Sequence, residues 1–111
     1  MFSKSQRITK KKDFDLIFKK GKVFYSPFFT IRILKNDLNT QRFTVLVSKK
    51  VSKKAVDRNK IKRILREAIK KNQKIFPSNS DSVLYTQPKA IKLSYTNATK
   101  IIQKMLKKPI N

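Results

Sequence analysis

The apolar positions of this chain change their spacing along its length, and each spacing predicts an element. Phe14, Ile17 and Phe18 recur at i, i+3 and i+4, one side of a short helix that ends before Gly21. From Val23 to Lys35 the residues turn β-branched and aromatic, and Thr30-Ile31-Arg32-Ile33 alternates as a strand does. Pro27 interrupts this run, so Val23 to Ser26 is expected as a separate short strand or edge piece. Asn36-Asp37-Leu38-Asn39 carries turn chemistry, and Phe43-Thr44-Val45-Leu46-Val47 reads as a second strong strand. The two strong strands are close enough in sequence to pair as an antiparallel hairpin.

Between Ala55 and Asn72 the spacing returns to three and four at Ile61, Ile64, Leu65, Ala68 and Ile69, a helix packed on a sheet through one stripe. Pro77-Ser78-Asn79-Ser80 makes a turn-rich loop, and Val83-Leu84-Tyr85 follows as a buried strand with Tyr85 expected in the core. Ser94 serves as N-cap of a last helix whose stripe is Ala98, Ile101, Ile102, Met105 and Leu106, with Leu93 and Ala98 as a hydrophobic staple. Helix, strands, helix, strand, helix is the order of an α+β sandwich with helices covering one sheet.

Charge changes the picture more than size does. At 111 residues and 13.1 kDa with 39% hydrophobic residues, the chain suits one domain with one core. Against that core stand 29 Lys+Arg and 6 Asp+Glu, a formal charge of +23 that repels itself unless a polyanion is near. No run of about 18 apolar residues exists to cross a bilayer, and the basic start Met1 to Lys12 has no apolar centre to act as a secretory signal. Cytoplasmic nucleic acid is the expected partner, and residues 1–12 are expected as a loose basic arm able to order on it. Without Cys there is no disulfide and no thiolate metal site, and without His the usual general base is missing. The acids Asp13, Asp15, Asp37, Asp57, Glu67 and Asp81 are scattered, so no catalytic residue and no metal site is expected in the chain. Any catalysis it joins needs an active site supplied by something else.

The basic residues concentrate in Lys49 to Lys71, where 11 of 23 residues are Lys or Arg. At 100° per residue the apolar stripe of the helix faces one way. Asn59, Lys62, Arg63, Arg66 and Lys70 face the other, with Arg58 and Lys60 flanking. A solvated face is the ordinary reading of such a pattern. A merely soluble helix, however, intersperses acids for i,i+4 pairs worth about 0.3 kcal/mol each, and here only Asp57 and Glu67 are available. Crowding of this kind is tolerable when phosphates neutralise it.

The run Phe43-Thr44-Val45-Leu46-Val47-Ser48-Lys49-Lys50-Val51, followed by Ala55-Val56-Asp57-Arg58-Asn59-Lys60-Ile61-Lys62-Arg63-Ile64-Leu65-Arg66-Glu67, resembles the signature of the bacterial ribonuclease P protein. In that family a strand ending in Lys-Lys leads into a helix opening with Arg-Asn-Arg; Lys60 stands at the third position and keeps the charge without the planar fork. Asp13-Phe14, Ile17-Phe18 and Gly21 resemble the family's first helix, and Ser94-Tyr95 the opening of its last.

The resemblance implies a central mixed sheet of about four strands, about three helices, a left-handed βαβ crossover around the basic helix and a cleft between first helix and sheet. It implies that Arg58, Asn59, Lys60, Lys62, Arg63 and Arg66, led by Lys49, Lys50, Lys53 and Lys54, meet the catalytic RNA. It places Phe14 and Phe18 in a cleft for the single-stranded 5′ leader of precursor tRNA, where spacing alone also allows a plain core role. Arg32 falls where family members often carry an aromatic, and an arginine there could stack on a base and meet a phosphate. Mg²⁺ is then held mainly by RNA and substrate, and no obligate protein partner is implied. The rival classes are a ribosomal or other structural RNA binder, a small DNA-binding protein and a nuclease acting alone. The last is disfavoured by the missing His, and the DNA reading by the absence of helix-turn-helix spacing.

Overall fold

The structure is a computed structural model that describes residues 6–106. Three helices and four strands follow one another as α1 (Lys11–Lys20), β1 (Lys22–Tyr25), β2 (Phe29–Lys35), β3 (Arg42–Leu46), α2 (Ala55–Lys71), β4 (Ser80–Thr86) and α3 (Tyr95–Leu106). Short 3₁₀ turns at Gln73–Ile75 and Pro88–Lys92 flank β4. The sheet order is β1-β2-β4-β3, with β4 antiparallel to β2 and parallel to β3. The β3–α2–β4 connection is therefore the parallel crossover unit whose left-handed sense the family resemblance implies.

The expected hairpin between β2 and β3 does not form, because β4 lies between them. A central strand is enclosed on both faces and both edges, and β4 suits that place: Ser80 to Leu84 are all buried. Residues 36–41 need to cross only two strand spacings, about 10 Å, well within the reach of about 20 Å for six residues. That loop is tied over the start of β4. The Asn36 backbone N–H donates to the Asn79 carbonyl at 2.9 Å, and its side-chain amide donates to the Thr40 carbonyl at 3.2 Å and to Asp81 at 2.8 Å. Asn39 takes the left-handed conformation (φ 56°), which Asn tolerates better than most residues.

Strand register sorts the two faces. Ile31, Leu84 and Val45 lie side by side, as do Ile33, Ser82 and Phe43, and all of these but the polar Ser82 join Ile61, Leu65, Ala68 and Ile69 of α2 and Ala98 and Ile102 of α3 in the main core. The opposite face carries Val83, covered by Ile17 of α1 and by Ile8, with Phe14, Leu34 and Tyr85 packed around them. The sheet is thus sandwiched between α2 with α3 and the single helix α1.

The arm expected over residues 1–12 is docked where it is described. Arg7 forms a parallel bridge with Phe43, Ile8 is buried and Lys11 begins α1, so the arm extends the sheet beyond β3. Residues 1–5 of that expectation lie outside the described residues. Gly21 ends α1 in a tight corner: a Cβ on it would sit 2.4 Å from the Ile17 carbonyl oxygen, against the hydrogen bond its own N–H makes to that oxygen at 2.8 Å. At the last helix Ser94 caps as expected, its hydroxyl accepting from the Asn97 N–H at 3.1 Å, and Leu93 and Ala98 are both buried in the main core.

Candidate nucleic-acid interface

Two surfaces converge at the end of β3 where the chain enters α2. The first is the basic segment. Ser48 and Ser52 shape its entry, their hydroxyls accepting from the Lys50 and Lys54 backbone N–H groups at 3.2 and 3.1 Å, so Lys49, Lys50, Lys53 and Lys54 stand exposed on a folded-back loop. Asp57 accepts from the Ser52 hydroxyl at 2.8 Å in the first turn of α2, where a negative charge suits the helix dipole. Arg58 is half-buried and donates to the Ser52 carbonyl at 2.9 Å, so it fastens the loop to the helix as well as carrying charge. Asn59, Lys60 and Arg63 are exposed, while Lys62 and Arg66 are half-buried and lean to opposite sides. Lys62 borders a groove toward α1; Arg66 borders a separate hollow of about 250 Å³ with Arg7, Ile8 and Thr9 beside β3.

The second surface is aromatic. Phe18 in the last turns of α1 is 40% exposed, and its ring lies 5.6 Å from that of Tyr85 on β4, tilted by 45°. The guanidinium of Arg32 sits over both rings, 5.3 Å from Phe18 and 5.9 Å from Tyr85. It donates through Nε to the Tyr85 hydroxyl and through Nη1 to the Phe18 carbonyl, both at 3.0 Å. That carbonyl is one of the four at the helix end without an intrahelical partner, so Arg32 caps α1 and fixes two rings at once. Phe18 and Tyr85 form one wall of a groove of about 420 Å³, with Leu46, Ser48, Thr86 and Lys62 around it.

Of the three cleft residues read from the sequence, Phe18 alone borders this groove; Phe14 packs inward against Ile17 and Val83, and Arg32 stands behind the rings. Tyr85, expected in the core, is half-buried: it packs at the edge of the Ile8, Ile17 and Val83 cluster and also lines the groove. Its alternation with Val83 places it on the α1 face, and its position near the end of β4 leaves its ring beyond the cover of Ile17. Leu46, Ser48 and Thr86 had no signal of their own, because strand ends carry no period that distinguishes a groove wall from a loop.

A family model described as Ribonuclease P matches residues 2–109. This chain belongs to the ribonuclease P protein family. The "Ribonuclease P protein component" of Aliivibrio fischeri is 36% identical over 104 residues, covering 94% of this chain and 88% of that protein. The protein of the same description from Syntrophus aciditrophicus is 32% identical over 105 residues, covering 95% and 87%. The solved ribonuclease P protein of Staphylococcus aureus superposes with a TM-score of 0.82 at 30% identity, covering 94% of each chain, and that of Thermotoga maritima with 0.80 at 28%, covering 95% and 98%. The three-helix, four-strand mixed sheet is thus the fold of the ribonuclease P proteins. The segment from Ser48-Lys49-Lys50 to Arg58-Asn59-Lys60 that resembles the family signature occupies the loop after β3, which ends at Leu46, and the first turns of α2, where the two surfaces meet. No helix among the described residues is long and apolar enough to cross a membrane.

Three of the six acids of this ribonuclease P family member, Asp13, Asp57 and Asp81, are engaged by side chains of the fold. Arg42 donates through Nε and Nη2 to Asp81 at 2.7 and 2.6 Å, and its Nη2 lies 3.4 Å from Asp13 of α1. Hydrogen bonding to Asp81, partly opposed by burial, raises the Arg42 pKa above its ordinary value, so it stays charged throughout. Among the described residues no three acids gather where a metal ion could sit.

Proposed function

We propose that this chain is the protein subunit of a bacterial, cytoplasmic ribonuclease P, in which the RNA subunit carries the metal-assisted hydrolysis and the protein binds that RNA and the 5′ leader of precursor tRNA. The observation that carries this reading is the junction at Lys62: the aromatic groove of Phe18 and Tyr85 opens directly onto the basic helix. A single strand leaving a bound RNA could pass from phosphate contacts on α2 to stacking on the two rings without leaving the protein. The residues proposed for the catalytic RNA are Lys49, Lys50, Lys53, Lys54, Arg58, Asn59, Lys60, Lys62, Arg63 and Arg66; Phe18 with Tyr85, positioned by Arg32, is proposed for the leader, with Phe14 packed in the cluster beneath.

The residues present do not suit a protein-held Mg²⁺, since among the described residues no three acids gather where a metal ion could sit, and Asp13 and Asp81 are committed to Arg42 and Asp57 to Ser52. The stabilisation of negative charge on the attacking and leaving oxygens that Mg²⁺ would provide then falls to sites on RNA and substrate. What this chain does is hold the leader against cationic and aromatic side chains, favouring precursor over leaderless product, and screen phosphate repulsion so that less Mg²⁺ is needed. No protein partner is required for this. The test is reconstitution: the purified protein added to a bacterial ribonuclease P RNA at low Mg²⁺ should restore 5′ leader removal, and the protein alone should cleave nothing.

Each of the six acids, substituted singly and assayed in single turnover below the melting temperature of the variant, is expected to leave the chemical step within about tenfold, or about 1.4 kcal/mol. One acid whose loss abolishes chemistry in a folded protein would relocate part of the active site to this chain. Arg63→Ala is expected to weaken assembly with the RNA and to flatten the log–log salt dependence by about one unit. Arg63 is a cleaner probe than Arg58, whose removal also frees the Ser52 carbonyl. Unchanged binding across a salt titration would mean that this face of α2 meets only solvent.

A further inference from the structure

A groove of about 900 Å³ lies away from both surfaces described above, between β1 with its following turn and α3. Phe24, Tyr25 and Phe28 line one side, and Ile101, Lys104 and Met105 the other. Tyr25 is 75% exposed, the most open aromatic among the described residues, on a strand at the edge of the sheet. The wall is held in shape by Ser26, whose hydroxyl donates to the Phe29 carbonyl at 2.7 Å and accepts from the Phe28 and Phe29 N–H groups at 3.3 and 3.1 Å. A preorganised wall loses little freedom when something binds it. The ammonium of Lys22 lies 5.5 Å from the centre of the Phe24 ring, Lys104 stands on the far wall, and none of the chain's six acids lines the groove.

We propose that this groove docks unstacked nucleobases of a single-stranded RNA segment, with Lys22 and Lys104 meeting its phosphates, as an RNA contact separate from the leader groove and the basic helix. Tyr25 offers an open face on which any base stacks, the half-buried Phe24 and Phe28 add apolar ring surface beside it, and the flanking ammonium groups supply the backbone contacts that such platforms combine with stacking. A second copy of the chain is disfavoured because each carries +23. An acidic peptide meets the charge but keeps its carboxylates and apolar groups on different residues. A nucleotide joins a flat ring and a phosphate in one unit, the pairing that Lys22 over Phe24 presents. The choice of polymer rests on reading the chain as an RNA-binding subunit; the groove and its charge do not.

The test uses the full-length protein and a hexauridylate carrying 5-iodouridine, photo-crosslinked and mapped by mass spectrometry. Adducts are expected in the Val23 to Phe28 peptide in addition to any at Phe18 or Tyr85. The double variant Lys22→Glu/Lys104→Glu, both exposed positions, should lower the Val23 to Phe28 adduct about tenfold while sparing the Phe18 and Tyr85 adducts and the melting temperature. Adducts confined to Phe18 and Tyr85, or a Val23 to Phe28 yield indifferent to the charge reversal, would overturn the proposal. So would sedimentation showing wild-type self-association that the double variant loses, which would assign the groove to a second copy. Leader removal by the reconstituted wild-type complex reports separately on the subunit reading, so the two ideas fail independently.

Discussion

Asp81→Ala is expected to destabilise the fold by about 3–5 kcal/mol, the cost of leaving one partner of a buried ion pair uncompensated. The side chains of Asp81 and Arg42 are 7% and 14% exposed, and their contact is a two-pronged fork of short hydrogen bonds. Asp81 also accepts from the Asn36 amide, which anchors the loop across the start of β4, so its loss removes a tie in the loop as well as a charge. Asp13 does not make up the difference, because at 3.4 Å it approaches only Nη2 and belongs to α1. The substitution also raises a formal charge of +23 by one, in a protein already repelling itself. Denaturant unfolding of Asp81→Ala, Arg42→Leu and the double variant Asp81→Leu/Arg42→Leu should show the double to be much less damaged than the single acid loss. A cost below about 1 kcal/mol for Asp81→Ala would mean that Arg42 finds water and that the node contributes nothing to holding α1, β3 and β4 together.

Phe18→Ala should lower the affinity of the reconstituted complex for precursor tRNA by about 1–3 kcal/mol, roughly 5- to 150-fold, and leave its affinity for leaderless mature tRNA nearly unchanged. A fully buried Phe costs about 3–5 kcal/mol of stability on truncation. Phe18 is 40% exposed, its ring beside that of Tyr85 and under the Arg32 guanidinium, so the loss in folding should be well below that range. Arg32 keeps its hydrogen bonds to the Phe18 carbonyl and the Tyr85 hydroxyl in the variant, which preserves the helix end. Melting and both affinities measured on one preparation separate the outcomes. A large fall in melting temperature with equal losses for both tRNAs would make Phe18 a core residue and remove it from the groove proposed for the leader. A ribosomal or other structural RNA binder predicts no difference between the two tRNAs at all.

What the residues alone determined was the class of partner and the faces of the helices. A charge of +23 without His or Cys points to a polyanion and away from chemistry in the chain, and the stripe through Ile61, Leu65 and Ala68 identifies the buried side of α2 without reference to any other element. The signature around Arg58-Asn59-Lys60 then carried the family. Tertiary structure alone decided which strands are neighbours and what covers them. Alternation records which side of a strand is buried, and it says nothing about which edge lies next to it. The pairing of β2 and β3 expected from their short connection therefore gave way to β4, the strand whose near-complete burial fits the middle of the sheet. In the same way the pattern placed Tyr85 beside Val83 but could not show where the cover of Ile17 ends. It could not show that Arg32, Phe18 and Tyr85, separated by up to 67 residues, close on one another. Local spacing is a property of a dozen residues, whereas a groove exists only where distant elements stop short of burying each other.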